Sequence, residues 1–390
     1  MDIQVAKEKA LSMMRSASHQ MGFLASALPK DNYQRVWARD GVITGMAALS
    51  SREEDLIDTF RQTLITLGNH ISPQGHIPSN VDLDSGNVSY GGLAGRADTG
   101  SWWLIGLCLY VKYTGEKHLL DRFENDIEQV LSLYQAWEYN NRGLVYVPLA
   151  GDWADEYILH GYVLYDQVLR YAALRLCGSL MERPQWLEKS EAIKLAIYQN
   201  YYLHQDWESS GVHVEAKKRL MEEKGPQPYL IASFHPAGYQ PYVDFLGNAL
   251  AMIFKIHPEP ENCLNWAQKE IGVFTPAFHP TIYRDDKDFH LLENNFRFEF
   301  RNKPNEFHNG GIWPMVNGFW GLAAFIHKGK AEAEFICNNI TQLNKLNDWE
   351  FNECFNRKTF HPCGVPKCTW SAAGQVMLSS AIQKGFYLLD

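Results

Sequence analysis

Apolar residues recur along the chain at the three- and four-residue spacing of helices, and two kinds of helix alternate. Leu56, Phe60, Leu64 and Leu67 form a single apolar stripe, which is typical of a helix with one buried face. Residues 98–113 are apolar on all sides, which is typical of a helix surrounded by others. About a dozen helices are predicted, at residues 3–16, 40–49, 51–67, 98–113, 119–137, 160–177, 187–202, 243–256, 261–271, 311–327, 330–346 and 370–387.

Signals for helix starts and for strands are sparser. Residues 51–54 (Ser-Arg-Glu-Glu) have the spacing of a capping box, so a helix is predicted to begin there. Strand-like alternation occurs only near residues 144–147 and 212–215. The pattern therefore predicts an all-α protein.

Helical hairpins of this size must bury their apolar faces on neighbouring hairpins, and six of them can close into a ring. An open solenoid is the alternative, but it predicts a fixed repeat period, which we do not find in the sequence. No Pro-, Ser- or Gly-rich linker divides the chain, so residues 1–390 are predicted to form one domain. The expected fold is an (α/α)6 toroid, with the long stretches 203–242 and 273–304 as loops over one rim.

Composition narrows the class of protein. The chain of 390 residues is 46% hydrophobic and 13% aromatic, enough to bury a large core. Its net charge of −9 (36 basic minus 45 acidic residues) does not favour a nucleic-acid or membrane partner. The longest apolar run, near 104–111, is too short to cross a bilayer, and the N-terminus lacks a secretory-signal pattern. We therefore expect a soluble, cytoplasmic protein; the sequence carries no signal for its oligomeric state.

The cysteines favour a reduced, metal-free chain. There are seven, an odd number, and no two form a Cys-x-x-Cys pair. A zinc site could be suggested by the cluster of Cys354, His361, Cys363 and Cys368. Its spacing, however, matches no usual ligand arrangement. We expect ordinary reduced cysteines.

The segment 151–157 (Gly-Asp-Trp-Ala-Asp-Glu-Tyr) places three acids and two aromatic residues just before a predicted helix. A carboxylic acid beside a tryptophan face can keep its proton near neutral pH, because burial disfavours the charged form, and a general acid requires this. Acids before a helix also cap it and complement its dipole. Taken alone, the segment leaves both interpretations open.

Polar and aromatic residues cluster in the same way elsewhere: at 37–41 (Trp-Ala-Arg-Asp-Gly), 75–80 (Gly-His-Ile-Pro-Ser-Asn), 96–103 (Arg-Ala-Asp-Thr-Gly-Ser-Trp-Trp) and 307–314 (Phe-His-Asn-Gly-Gly-Ile-Trp-Pro). A lone Arg-Asp pair would be an ordinary ion pair and cap. Together the clusters start alternate helices, which in a ring means one shared rim. Planar polar groups and aromatic faces bind neutral sugars, so this composition indicates a sugar site.

A last cluster, 351–356 (Phe-Asn-Glu-Cys-Phe-Asn), precedes the final helix. A glutamate in a loop is usually a solvated surface residue, so Glu353 is a catalytic candidate only as one of a pair. Glycoside hydrolysis needs two carboxyl groups, one protonating the leaving oxygen and one activating water or attacking directly. Asp155 and Glu353, both on the expected rim, could supply them.

In chain order, the motifs Trp-x-Arg-Asp, Gly-x-Ile-Pro, Asp-Thr-Gly-x-Trp-Trp, Trp-x-Asp, His-Asn-Gly-Gly-x-Trp-Pro and Thr-Trp-Ser-x-Ala-Gly resemble those of the (α/α)6-barrel (six-hairpin) glycosidases. That group includes bacterial amylo-α-1,6-glucosidases of the glycogen-debranching type and the neutral/alkaline invertases. Residues 98–103 and 367–371 look most like the invertases. Residues 37–41, 75–79 and 153–155 look at least as much like the debranching glucosidases.

The resemblance implies that Asp155 is the general acid and Glu353 the general base of an inverting reaction. Asp152 is the alternative acid, because it also flanks Trp153. No metal or organic cofactor is expected. The residues that would bind the substrate are Trp37, Arg39, Asp40, Asp98, Trp102, Trp153, His308, Asn309, Trp313 and Trp370.

The sequence hypothesis is an inverting glycoside hydrolase of the amylo-α-1,6-glucosidase type. It would release a terminal hexose, glucose, from an α-glucoside, either an oligosaccharide or a small glycoside. An invertase-like sucrose hydrolase is the alternative of the same class. Two alternatives of other classes are a sugar epimerase or isomerase using His308, His160 and His76, and a carbohydrate-binding protein without catalysis.

Overall fold

The computed structural model describes residues 3–83, 85–204 and 211–385. Its helical segments in chain order are α1 (Ile3–Ser16), α2 (Ala38–Ser51), α3 (Glu54–Gly68), α4 (Thr99–Thr114), α5 (His118–Arg122), α6 (Glu124–Ala136), α7 (Leu164–Leu180), α8 (Pro184–Tyr201), α9 (Val214–Lys224), α10 (Phe245–Ile253), α11 (Pro260–Glu270), α12 (Phe289–Glu293), α13 (Pro314–Lys328), α14 (Lys330–Asn344), α15 (Leu346–Trp349) and α16 (Thr369–Lys384).

Six helices form a closed inner ring. Each packs on the next in the order α2, α4, α7, α10, α13 and α16, and α16 packs back on α2. Every residue of α2 and of α10 is buried, as expected for helices with neighbours on all sides. Outer helices cover the ring: α1 packs on α16, α3 on α2, α8 on α7 and α14 on α13. The predicted all-α fold, an (α/α)6 toroid, is confirmed.

The contact between α2 and α3 shows how the sequence sets this packing. Leu56, Phe60, Leu64 and Leu67 are all buried, as their stripe predicts. Phe60 fits against Gly45 of α2, where a Cβ atom would lie 1.9 Å from the ring. The glycine therefore lets the outer helix approach the inner one closely enough to bury the aromatic ring.

Short antiparallel strands edge the ring. They are β1 (Ser18–His19), β2 (Gly22–Phe23), β3 (Arg35–Trp37), β4 (Asn80–Asp82), β5 (Val88–Ser89), β6 (Tyr162–Val163), β7 (Ser233–His235), β8 (Gly238–Gln240), β9 (Val243–Asp244), β10 (Phe278–His279), β11 (Cys354–Phe355) and β12 (Pro362–Cys363). They pair as β1-β2, β9-β10, β11-β12, β3-β4-β5 and β6-β7-β8. Three of them, β3, β6 and β9, lead directly into the inner helices α2, α7 and α10.

Several local predictions differ from the structure. The predicted helix 119–137 breaks at Phe123, which separates α5 from α6. The capping box at 51–54 is wrong, because α2 continues through Ser51 and α3 begins only at Glu54. Residues 212–215 do not form a strand but lead into α9, and near 144–147 only Val147 bridges another segment. The predicted end of the last helix, at residue 387, lies outside the described residues.

The helices of the described ranges include none that is long and apolar enough to cross a membrane.

Candidate active site

The N-terminal ends of the inner helices meet at one rim, and Arg39 joins two of them. On the first turn of α2, the Arg39 guanidinium donates through Nε to Asp98 Oδ2 at 2.7 Å, just before α4. Its Nη2 donates to the carbonyl oxygen of Asp152 at 3.0 Å. The Tyr165 hydroxyl, from the first turn of α7, donates to the same Asp98 oxygen at 3.0 Å. Asp98 therefore binds neighbouring helices together instead of capping its own helix.

Asp40, the residue after Arg39, lies among charged neighbours and is buried. Burial raises its pKa to about 6, Arg39 lowers it, and the charges of Asp155 and Asp98 raise it. Asp40 in turn raises the pKa of Glu353. Asp40 therefore interacts electrostatically with both Asp155 and Glu353, which are 198 residues apart in sequence (353 minus 155).

Asp155 is the accessible acid of the site, with a side chain that is 46% exposed. Arg96 Nη2 lies 2.8 Å from its Oδ1. The same guanidinium donates through Nη1 to the carbonyl oxygen of Ala150. Ala150 and Glu156, at the two ends of the acid segment, both have positive φ. Arg96 therefore links Asp155 to the backbone of Ala150, at the start of the segment.

Asp152, the alternative acid, is almost fully buried. Its Oδ1 accepts a hydrogen bond from the Ala154 amide at 2.8 Å, so the side chain shapes the turn. Burial raises the pKa of Asp152 to about 7, and the neighbouring carboxylates of Asp98 and Asp244 raise it as well. The raised pKa favours the protonated form of Asp152, whereas Asp155 is the more exposed of the two acids.

Glu353 is buried in a polar cradle. The Tyr33 hydroxyl donates to Oε1 at 2.8 Å, and the Val365 amide donates to Oε2 at 3.0 Å. A Cβ atom on Gly364, whose φ is +75°, would lie 2.3 Å from Oε2, so only glycine fits beside the carboxylate. Burial raises the pKa of Glu353 to about 7, while both hydrogen bonds lower it. Such a group exchanges a proton near neutral pH, as a general base must.

Four rings that contact one another, here called the wall, belong to Trp153, His308, Trp313 and Trp370. His308 stacks on Trp313 with centroids 4.9 Å apart, and both rings meet Trp153 edge to face. Trp370 meets Trp313 at 5.6 Å in an edge contact. Burial, with the charge of Arg39, lowers the pKa of His308 to about 3, so the imidazole is neutral at physiological pH. Its Nε2 and the Trp370 indole nitrogen are buried and have no hydrogen-bond partner within the described ranges.

Two of the predicted substrate-binding residues, Trp102 and Asn309, are fully buried and hydrogen-bonded within the protein. Trp102 is fully buried, and its indole donates to the Tyr165 hydroxyl at 2.6 Å. Asn309 is fully buried, and its side-chain amide forms hydrogen bonds with the backbone of Ile282 and Asn302. Trp102 is buried because it lies in the inner helix α4. Asn309 is buried by the loops whose backbone it bonds. Trp37 lies at the outer edge, with its indole nitrogen bound to the Asn32 carbonyl.

The structure adds residues that the sequence interpretation missed. Asp244 caps α10 through the Leu246 amide, accepts from the Trp153 indole at 3.3 Å, and has its pKa raised to about 7 by burial. Asp166, on the first turn of α7, is buried, and neither carboxylate oxygen has a partner in the part of the chain described. The sequence signal that identified Asp98, an acid at the start of an apolar helix, is also present at Asp244 and Asp166. Tyr33 carried no comparable signal, whereas Arg96 belongs to the cluster 96–103 but was not singled out.

The candidate zinc ligands do not form a metal site. Among the described residues, no group of three or more His, Cys, Asp or Glu side chains is arranged to hold a metal ion. The seven cysteines are free thiols.

The Arg39 interactions give a stability prediction. Arg39→Met is expected to lower the free energy of unfolding by about 3–5 kcal/mol, because it leaves the buried Asp98 carboxylate without its cation. Urea unfolding at pH 7 measures this change. The control is Arg15→Met, which removes an exposed pair with Glu53 and Asp55 and is expected to cost about 0–1 kcal/mol. Equal effects of the two substitutions would contradict the account of Arg39.

Structural comparison defines the class. A bacterial glucoamylase in complex with acarbose superposes with a TM-score of 0.67 at 12% sequence identity, covering 98% of this chain and 56% of the glucoamylase. The mannosylglycerate hydrolase of Thermus thermophilus, a GH63 enzyme, superposes with a TM-score of 0.64 at 13% identity, covering 95% of this chain and 99% of that one. The fold is that of the six-hairpin glycosidases.

Sequence comparison then gives the family. The family model for alkaline and neutral invertase matches residues 6–209, and the chain belongs to this family of glycoside hydrolases. It is 22% identical to the chloroplastic alkaline/neutral invertase E of Arabidopsis thaliana, over 89% of this chain and 65% of the relative. It is also 22% identical to the mitochondrial neutral/alkaline invertase 1 of Oryza sativa subsp. japonica, over 88% and 64%. The chain thus spans a little under two thirds of the length of these relatives.

Proposed function

We propose that this chain is an inverting glycoside hydrolase that releases glucose from a small α-glucoside, with sucrose as the first candidate substrate. The observation that carries the proposal is the pair of carboxyl groups at one rim of the helical ring. Asp155 is accessible to a substrate, while Glu353 is buried with its pKa raised to about 7. An acid and a base in different environments are what glycoside hydrolysis requires.

In the proposed reaction, Asp155 protonates the glycosidic oxygen as the bond to the anomeric carbon breaks. Glu353 removes a proton from a water molecule, which attacks the anomeric carbon from the opposite face and inverts its configuration. Arg39, Asp98, His308 and Trp370 are proposed to bind the glucosyl unit, because polar atoms and ring faces converge there. Trp102 and Asn309 are proposed to support this wall.

Sucrose is preferred because the family is named for invertases, and invertases are among the relatives. The amylo-α-1,6-glucosidase-like interpretation stays a prediction. A hydrolysis screen over sucrose, isomaltose, panose, trehalose, glucosylglycerate and limit dextrin separates the two. Release of glucose and fructose from sucrose, well ahead of glucose from isomaltose or limit dextrin, is the expected result. The reverse order would contradict the choice of substrate.

The histidines give little support to an epimerase or isomerase. His308 stacks on Trp313, His160 stacks on His235, and His76 packs against Trp137, so each has a different set of neighbours. The low pKa of His308 also makes it a poor proton donor. A binding protein without catalysis would be stabilised by sucrose yet yield no product on long incubation, and the same screen tests this. The cytoplasmic location and the single domain stay predictions.

Tyr33 gives a prediction about pH. The proposed base must be ionised, so kcat/KM should fall as pH falls through about 7, the pKa of Glu353. The Tyr33 hydroxyl donates to the ionised carboxylate and lowers that pKa. Tyr33→Phe is therefore expected to move the acid limb of the kcat/KM profile upward by about one pH unit.

The control for this prediction is Tyr239→Phe, which removes a hydroxyl bonded to the Asn200 carbonyl in a different part of the fold. It is expected to leave the profile in place. A downward shift in Tyr33→Phe, or equal shifts in both variants, would contradict the role given to Glu353.

A further inference from the structure

Two cysteines face each other across the hairpin that holds Glu353. Cys354 on β11 and Cys363 on β12 are directly paired antiparallel residues. Directly opposed residues in antiparallel strands have Cα atoms about 4.5–5.5 Å apart, which lies within the range that a disulfide bridges. Cys354 is fully buried, while Cys363 is partly exposed.

We propose that Cys363 is a thiol-modification site, which reacts with a low-molecular-weight disulfide and is then joined to Cys354 in a disulfide that switches off the enzyme. The formation of the bond is independent of the proposed function. The loss of activity rests on the proposed role of Glu353.

The surroundings of Cys363 suit the attacking role. A hydrogen bond from the Cys354 thiol lowers the pKa of Cys363, and the nearby charge of Lys303 lowers it as well, whereas burial and Glu306 oppose the shift. Burial raises the pKa of Cys354, which stays a thiol. A partly exposed, more acidic thiol beside a second cysteine is the arrangement found at redox-sensitive sites.

The chemistry balances with glutathione disulfide as the oxidant. The Cys363 thiolate attacks one sulfur of glutathione disulfide, the sulfur–sulfur bond breaks, and one glutathione thiolate leaves. Cys354 then attacks the Cys363 sulfur of the mixed disulfide, and its proton leaves with the second glutathione. Two protein thiols are oxidised to one disulfide, and one glutathione disulfide is reduced to two thiols.

The effect on activity follows from the residues next to Cys363. Gly364 packs against Glu353 Oε2, and Val365 donates its amide to the same oxygen. The Glu353 amide donates to the Val365 carbonyl oxygen at 2.9 Å. Forming a sulfur–sulfur bond of about 2 Å between the two strands must shift this hairpin. Because a misplacement of about 1 Å can cost about a hundredfold in rate, oxidation is expected to lower kcat at least tenfold.

The test incubates the full chain with glutathione disulfide and follows sucrose hydrolysis, intact mass and the disulfide-linked peptides. The wild type is expected to lose two hydrogens, to yield a Cys354–Cys363 peptide pair and to recover activity with dithiothreitol. Cys363→Ser should remain active throughout, and Cys354→Ser should accumulate one glutathione adduct. Cys177→Ser is the matched control, because it removes the other close thiol pair, Cys108 and Cys177, whose sulfurs lie 3.5 Å apart; it should still be inactivated.

A link at Cys108–Cys177 in place of Cys354–Cys363, or no link at all, would overturn the modification site. Linkage with unchanged kcat would overturn the switch. A reduced enzyme with no hydrolase activity on any substrate in the screen would overturn the proposed function instead, while peptide mapping would still decide whether the two thiols react.

Discussion

Glu353→Gln is expected to lower kcat by about a hundredfold to ten-thousandfold, because an amide cannot accept the proton of the attacking water. The loss should apply to every substrate, since water must attack whatever the leaving group. The fold should survive, because the amide oxygen of Gln can still accept from Tyr33 or Val365 in a cavity of the same shape. Steady-state kinetics on sucrose and thermal unfolding of the same preparation measure both effects.

The matched control is Glu350→Gln, three residues earlier. The Glu350 carboxylate accepts from Asn347 at the surface and touches none of the rim residues named here. Wild-type kcat is expected in this variant. Full activity in Glu353→Gln would remove Glu353 from the mechanism.

Asp155→Asn is expected to lower kcat on sucrose by a similar factor, about a hundredfold to ten-thousandfold, but in a way that depends on the leaving group. A general acid is needed only when the departing oxygen requires a proton. Glucosyl fluoride leaves without one, so this variant should hydrolyse α-glucosyl fluoride at close to the wild-type rate. Glu353→Gln should be slow on both substrates.

Asp152→Asn decides between the two candidate acids. Asp152 is buried and shapes the turn through Ala154, so its substitution is expected to lower stability without a dependence on the leaving group. Glu156→Gln, whose carboxylate accepts from the Arg297 amide, controls for charge loss beside Asp155. A leaving-group effect in Asp152→Asn and none in Asp155→Asn would make Asp152 the acid.

The inner helices could be predicted because their signal is strong and redundant. A helix buried on all sides must be apolar throughout, and residues 98–113 differ from α4 by one residue at each end. Boundaries set by tertiary packing were harder to predict. Phe123 interrupts the outer helix by packing edge to face on Trp103 of α4, a contact that no local periodicity reveals.

The site could be predicted as a set of helix starts but not as a set of contacts. Arg39 and Asp98, at the starts of two inner helices, bond to each other, and Trp370 lies in the first turn of a third. The partners of the two proposed catalytic acids could not be predicted. Tyr33 reaches Glu353 from 320 residues away in the chain, and Arg96, although it lies in the cluster 96–103, pairs with Asp155 in a different cluster.

Trp102 shows that composition does not give the orientation of a side chain. The aromatic pair at 102–103 contributed to the sugar-site interpretation, yet both rings are fully buried. Trp102 donates to the Tyr165 hydroxyl, which in turn donates to Asp98. In a ring of helices, one residue of a helix start can face the rim while its neighbours in sequence pack between helices. The rotation of each helix about its axis decides which residue faces the rim, and sequence alone does not give that rotation.

The most direct test of the mechanism is the configuration of the first glucose released from sucrose, followed by proton NMR before mutarotation. Attack of water activated by Glu353 on the face opposite Asp155 predicts β-glucose as the initial product, which then equilibrates with α-glucose. Initial release of α-glucose would mean retention, and it would contradict Glu353 as the base of an inverting hydrolase.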